Sequence, residues 1–425
     1  MNNISLNKKD VQRNMIFNTV GSLIYYACQW LMTVLIVRIS GYENAGVLSI
    51  AMSVTSAPAI IGLFNIRNYQ VSDLEGQFSD TVYIRSRRYT NILSFIICCI
   101  MVISGKYSLN KVLVILTFMI FKMSEGLADV YYGIEQKKER MDYVGISLTI
   151  RGIGTIVLFL MGLFVSDSLI VSILMISAFS FSFVYFYDRR IVKQWMNKEK
   201  KVVKDKKVEK QAVIKLLQIC LPLAIVAFLN NLSLSIPKIY LEKYYGSEVL
   251  GVYSSIASPT MVVQLAATTM FAPLIPILSL CFQGKNKKGF LGIFKKFILI
   301  ILGFSIICII GAKILGCWGL TLLFSDSIEP YVWLFVPIVI VSILIALNAS
   351  LFSVCTIVRE IKSQYIIGVT GVIAALGLSA WVTKELSMIG VVYTLIGTLG
   401  IQILVQLLII WKKMRKCVWE DEDKS

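Results

Sequence analysis

Apolar stretches of about 18 residues or more, each long enough to cross a hydrocarbon core as a helix, recur from one end of this chain to the other. In lipid, every backbone N–H and C=O must be satisfied internally, so a succession of such stretches folds as helix packed on helix. The stretches lie near 15–37, 45–65, 89–105, 110–130, 144–165, 168–187, 212–234, 249–278, 292–315, 331–351, 364–382 and 388–411. They predict an all-α integral membrane protein of about 12 transmembrane helices. The first follows Lys8, Lys9 and Arg13. It is too long for a secretory leader core and lacks a small-residue cleavage site, so it reads as the first span.

The formal charge is +17, from 42 Lys and Arg against 25 Asp and Glu. In a soluble chain that excess would suggest nucleic acid. Here its distribution matters more. With the N-terminus placed inside, inner segments hold 33 basic residues and outer segments 7. This bias predicts both termini in the cytoplasm and inner loops lying against anionic headgroups. No nucleic-acid partner is expected. Histidine is absent, so no step can use an imidazole base or ligand. The nine cysteines show no C-x-x-C spacing, which argues against a metal site or disulfide framework.

One hydrophilic run, 188–211, divides the spans six and six. The expected organisation is an N-terminal six-helix lobe (1–187), a basic cytoplasmic linker (188–211), a C-terminal six-helix lobe (212–411) and a charged tail (412–425). The lobes share a pattern. Gly41 and Gly46 precede Val-Leu-Ser-Ile-Ala, while Gly246 and Gly251 precede Val-Tyr-Ser-Ser-Ile-Ala. An even number of spans per half makes the repeats parallel, around an axis along the membrane normal. Two such lobes around a central cavity suit alternating access.

Charges within spans are costly and mark functional or structural networks. Lys122, Glu125 and Asp129 fall on one face of the fourth span. Entering near Asn110, Lys122 would lie ~18 Å deep. Two readings stay open for this stripe: a substrate-facing, proton-linked cluster, or a closed ion-pair network pinning the fourth and fifth spans. Arg151, near the start of the fifth span, is a candidate partner. Arg67 closes the second span, and its planar fork suits phosphate. Arg85, Arg87 and Arg88 read as inner-face anchors. Arg38 and Lys238 occupy similar repeat positions and form either an outer cationic mouth or snorkelling anchors. Gln29, Asn230 and Asn231 are candidate sugar contacts or ordinary interhelical amides.

Three pieces resemble a known family: Gly46-Val-Leu-Ser-Ile-Ala51; Lys122-Met-Ser-Glu-Gly-Leu-Ala-Asp129 running on to Arg140 and Arg151-Gly152; and Ile236-Pro-Lys-Ile-Tyr240 running to Tyr253-Ser254. The chain resembles the bacterial polysaccharide-repeat flippases of the multidrug/oligosaccharidyl-lipid/polysaccharide (MOP) exporter superfamily, with a MATE-like fold. The resemblance implies a cytoplasmic-membrane transporter, not an enzyme, whose cationic cavity carries an undecaprenyl-pyrophosphate-linked oligosaccharide. It also implies a polysaccharide polymerase and chain-length machinery as neighbours. Arg67, Lys122 and Arg151, with Arg38 and Lys238, would then line the substrate path. Glu125 or Asp129 would couple to an ion, proton or sodium, or tune those cations, and no metal or other cofactor is expected. The alternatives are a lipid II-type flippase, a multidrug exporter of the same superfamily and a membrane enzyme of the pathway. The first span carries no Asp or Glu for a cationic drug, and outer loops are too short for a polymerase.

Overall fold

A computed structural model describes residues 8–73, 76–198, 206–271, 273–358 and 360–416. Every regular element among them is helical. The chain forms two compact units, Met1–Phe228 and Leu229–Ser425. The first contains α1 (Lys8–Leu63), α2 (Ile66–Ser72), α3 (Asp80–Gly105), α4 (Leu109–Lys137), α5 (Met141–Ser166), α6 (Leu169–Phe183), a π-helical turn (Val184–Asp188) and α7 (Arg189–Lys198). Helix α8 (Lys206–Ala257) starts in the first unit and continues into the second. There follow α9 (Met261–Phe271), α10 (Leu274–Gln283), α11 (Lys287–Phe324), α12 (Phe335–Ile357), α13 (Ile361–Leu378) and α14 (Lys384–Lys416).

Among the described residues, eight segments are long and apolar enough to cross a membrane. Three of them bend within their length, at Gly41, Gly246 and Ser387. Helix α4 is not among the eight, because Lys111, Lys122, Glu125 and Asp129 interrupt its apolar sequence. The third helix begins at Asp80 rather than near 89. Its first turns carry Ser86, Arg87, Thr90 and Asn91, all buried, so a hydropathy reading misses them.

The described part of the charged run 188–211 is helical. Asp188 and Val192 are fully buried, and the Trp195 ring meets Tyr143 edge-on at 5.6 Å. Helix α7 is therefore amphipathic: it spends its apolar side on the first unit's core and turns charge outward. That core gathers Tyr83, Tyr131, Tyr132, Val192, Leu216 and their neighbours. A second core in the other unit centres on Phe271, Phe290, Phe297 and Val354.

Small residues let α1 and α5 approach closely. A methyl on Gly21 would overlap the Gly145 backbone, and one on Gly145 would overlap the Phe17 carbonyl. In lipid, where apolar side chains gain little by leaving the solvent, such backbone contact supplies much of the helix association. Outward faces are apolar instead. On α11, Leu299, Leu302, Ile306, Ile310, Ile314 and Trp318 are all exposed at helical spacing. That is the face a lipid-solvated helix presents.

The repeat seen in sequence reappears in the backbone. Gly41 has φ 77° and ψ −179°, and Gly246 has φ 85° and ψ 177°. This region of conformational space is essentially restricted to glycine. Each glycine bends a long helix at the same point of its own unit. A side chain there costs about 1–3 kcal/mol, although nothing lies within 4 Å of either added Cβ. Gly246→Ala is thus expected to lower the thermal midpoint of the purified protein through backbone strain alone, whereas alanine at Gly303, inside α11 and with nothing within 4 Å of its added Cβ, should not. Equal melting of Gly246→Ala and parent protein would refute that account.

Candidate functional site

Helix α1 stops at Leu63 because Phe64 and Asn65 take left-handed backbone angles. The chain reverses into α2, which lies on α4: Gln70 donates to the Val130 carbonyl at 3.3 Å and fits over Gly133. This short helix brings Arg67 to α4. The following loop is held by Asp73, which accepts from the Gln77 and Phe78 amides (2.9 and 3.2 Å) and from the Tyr83 hydroxyl (2.8 Å). Burial alone would raise the Asp73 carboxyl, but these three donors and Lys137 at 3.8 Å hold it below the usual carboxylate range.

The stripe on α4 resolves into two ion-paired clusters. Lys122 Nζ lies 2.6 Å from Glu125 Oε2, and the Tyr25 hydroxyl donates to Glu125 Oε1. The Lys122 ammonium also sits 5.4 Å from the Phe118 ring and 5.6 Å from the Phe121 ring. One turn further on, Asp129 is shared by two arginines: Arg67 at 3.3 Å and Arg87 at 2.6 Å. Arg67 also donates to Gln136 at 3.0 Å. Arg87 donates to the Gly62 carbonyl at 2.7 Å and is completely buried. Arg87 is therefore no surface anchor: α3 projects it inward to close the Asp129 cluster.

Arg151 is buried too. It donates to the Tyr132 hydroxyl (3.0 Å) and the Ser180 hydroxyl (2.8 Å), with its guanidinium 5.8 Å from the Tyr25 ring centre. Tyr25 thus links the Glu125 pair to Arg151. The acids of the stripe do not tie α4 to α5. Asp129 takes its partners from α2 and α3, while Arg151 binds hydroxyls. Asp188 and Glu135, also fully buried, receive no hydrogen bond among the described residues. Formal charges balance across this wall of the first unit: Arg67, Arg87, Lys122 and Arg151 against Glu125, Asp129, Glu135 and Asp188. Accessibility divides them evenly: Arg67 and Lys122 are half-exposed with Glu125 and Asp129, while Arg87 and Arg151 are buried with Glu135 and Asp188. Side-chain exposure is 29% for Arg67, 26% for Lys122, 22% for Glu125 and 21% for Asp129, but nil for Arg87.

The remaining candidates are dispersed. Gln29 is half-buried one turn beyond Tyr25, and its Nε2 finds no acceptor among the described residues. Arg38 is exposed further along α1. Lys238 and Asn231 belong to the second unit and are half-buried on α8. Asn230 accepts from Asn348 Nδ2 at 3.3 Å. Asn348 in turn donates to Gln402 at 3.1 Å and accepts from Gln406 at 2.9 Å. Of this amide cluster the sequence reading singles out Asn230 alone, although an Asn in the apolar α12 and a Gln pair at i, i+4 in α14 are visible signals for the rest.

Residues 11–282 match the family described as polysaccharide biosynthesis protein. The capsular polysaccharide biosynthesis protein CapF of Staphylococcus aureus is 27% identical over 319 residues, covering 74% of this chain and 78% of CapF. Among solved structures, an inward-facing multidrug resistance MATE transporter of the MOP superfamily superposes with TM-score 0.66 at 11% identity, covering 95% of this chain and all of that one. A MOP transporter from Pyrococcus furiosus, described by the reverse polarity of its binding pocket, superposes with TM-score 0.60 at 13% identity over 96% and 95% of the two chains. At such identities these structures establish the fold.

Proposed function

This chain belongs to the polysaccharide biosynthesis protein family of MOP-superfamily membrane transporters, and on that premise we propose that it flips undecaprenyl-pyrophosphate-linked oligosaccharide repeat units from the cytoplasmic to the outer face of a bacterial cytoplasmic membrane. The observation that supports the reading is the pair of half-exposed cations on the first unit, Arg67 and Lys122, each held by a half-exposed carboxylate. A pyrophosphate head cannot enter hydrocarbon unaided. Arg67 offers it a planar fork and Lys122 a point charge.

The two ion pairs, Lys122 with Glu125 and Arg67 with Asp129, supply a coupling rule. While Glu125 and Asp129 are ionised, they hold the cations that phosphate needs. A proton or sodium ion taken up by either carboxylate frees Lys122 or Arg67 for the substrate. Anion binding and cation binding then go together, as reciprocal linkage requires. Gln29, with its unmatched amide, and Asn230 and Asn231 are the sugar contacts in this scheme. Arg151 acts from behind, fixing Tyr25 and Tyr132 rather than touching phosphate. Arg38 and Lys238 serve the outer path. The inner loops rest on anionic headgroups, with both termini in the cytoplasm. A polysaccharide polymerase and chain-length machinery receive the flipped unit.

Deleting the gene in its host tests the reading. Complete repeat units should accumulate on their lipid carrier while the surface glycan disappears, and the intact gene should reverse both changes. Loss of surface glycan with only truncated lipid-linked sugars would instead place the protein in assembly. An unchanged surface glycan, once a redundant transporter has been removed, would favour export of another cargo.

A further inference from the structure

A cavity of about 330 Å³ opens at the end of the first unit where α3 begins and α4 ends. Its polar lining comes from Arg85, Arg88, Arg189, Lys193 and Glu209, and its floor from Tyr131, Val192 and Met196. Four cations therefore face one acid. That acid is already used: Glu209 pairs with Arg85 at 3.0 Å. Arg88 and Arg189 line this cavity together with Tyr131. Arg189 is stacked over the Tyr185 ring at 4.5 Å, which holds its guanidinium at the rim. None of these groups belongs to the Asp129 or Glu125 clusters.

The surroundings fix the depth of this cavity. Tyr89, next to Arg88 in the chain, and Tyr185, against Arg189, are exposed. Exposed aromatics of this kind settle at the headgroup level of a bilayer. A cavity at that depth, basic at its mouth and apolar on its floor, matches an amphipathic anion. A free phosphate would use the charges and leave the apolar floor uncovered.

We propose that this cavity, formed by α3, α4, α7 and the start of α8, binds the headgroup of an anionic phospholipid, with an acyl chain passing along the exposed apolar faces of α3 and the π-helical turn. The lipid bridges the amphipathic helix α7 to the helix bundle. Occupancy stabilises the first unit independently of any transported substrate.

The test uses the full-length purified protein in neutral detergent and measures its thermal midpoint against added lipid. Phosphatidylglycerol or cardiolipin should raise the midpoint saturably, and phosphatidylcholine should not. Each basic residue at a membrane surface is worth about 1 kcal/mol toward anionic lipid, so Arg88→Gln combined with Lys193→Gln should weaken the apparent affinity about thirtyfold. Both side chains are exposed, so the lipid-free midpoint should stay near the parent's. A control pair in the second unit, Lys287→Gln with Lys288→Gln, should keep the full response. Inorganic phosphate or pyrophosphate giving the same saturable shift would replace the lipid with a free anion and overturn the proposal. So would an equal loss in the control pair, which would signify a response to surface charge in general. Because the readout is stability and not transport, it stands or falls separately from the flippase reading.

Discussion

Replacing Arg87 with alanine is expected to cost about 2–3 kcal/mol of folding stability, below the penalty for breaking a fully buried ion pair because Asp129 is half-exposed and keeps Arg67. The side chain is fully buried and serves two acceptors, Asp129 at 2.6 Å and the Gly62 carbonyl at 2.7 Å. Without it, Asp129 keeps only the longer contact to Arg67. The Gly62 carbonyl keeps only the Thr90 hydroxyl. The cost arises because a charge is left half-paired in low dielectric, more than because a good interaction is lost. Neutralising the acid as well should therefore recover more than half of it. The measurement is the thermal midpoint in detergent of Arg87→Ala, Asp129→Asn and the double variant. If Arg87→Ala melts with the parent, or if the double variant is the sum of the singles, the pair does not carry the stability assigned to it.

Arg67 shares the same carboxylate, and the opposite outcome is expected. Arg67→Ala should leave the thermal midpoint close to the parent's, since Arg87 still neutralises Asp129. Transport should fall about tenfold to a hundredfold, the worth of one charge-assisted hydrogen-bonding group at a phosphate. Arg67→Lys keeps the charge and loses the fork, so it should restore only part of the rate. The assay is flipping of a lipid-linked oligosaccharide by protein reconstituted in vesicles. Wild-type transport by a normally expressed Arg67→Ala would remove Arg67 from the substrate path. In the proposed scheme two arginines on one aspartate separate structure from transport: Arg87 is expected to govern stability and Arg67 turnover.

The membrane character, the all-α fold and the repeated halves were legible in the sequence because each depends on a local property. Apolar length sets a span. A glycine pair at the same place in each half marks a bend, and Gly41 and Gly246 adopt matching backbone angles. The stripe of Lys122, Glu125 and Asp129 was legible as well, because helical spacing alone puts the three on one face. Their partners were not. Arg87 lies in a run with Arg85 and Arg88, a pattern that signals an inner-face anchor. What distinguishes it is the series Tyr83, Ser86, Arg87, Thr90, Asn91 and Ser94, buried at helical spacing along α3. Once seen, that series shows which side of α3 faces inward, and Arg87 is on it. Contacts that join distant parts of the chain, such as Tyr25 with Glu125 or Asn348 with Gln406, depend on tertiary packing that no local pattern encodes. Helix α7 was obscured for another reason: its high charge hid the apolar side that Val192 buries.

The two units handle polarity differently. The first holds its intramembrane polarity as full charges on α4 and its neighbours, while the amide cluster of the second, Asn230, Asn348, Gln402 and Gln406, is neutral. An electric field does work only on net charge that moves through it, about 2.3 kcal/mol per elementary charge for each 100 mV crossed. Rearranging the amides is nearly invisible to a membrane voltage. Freeing Lys122 or Arg67 from its carboxylate partway across the membrane is not. In the proposed scheme the membrane voltage therefore acts on the charges of α4, and a current recorded during turnover should change when Lys122 or Arg67 is neutralised.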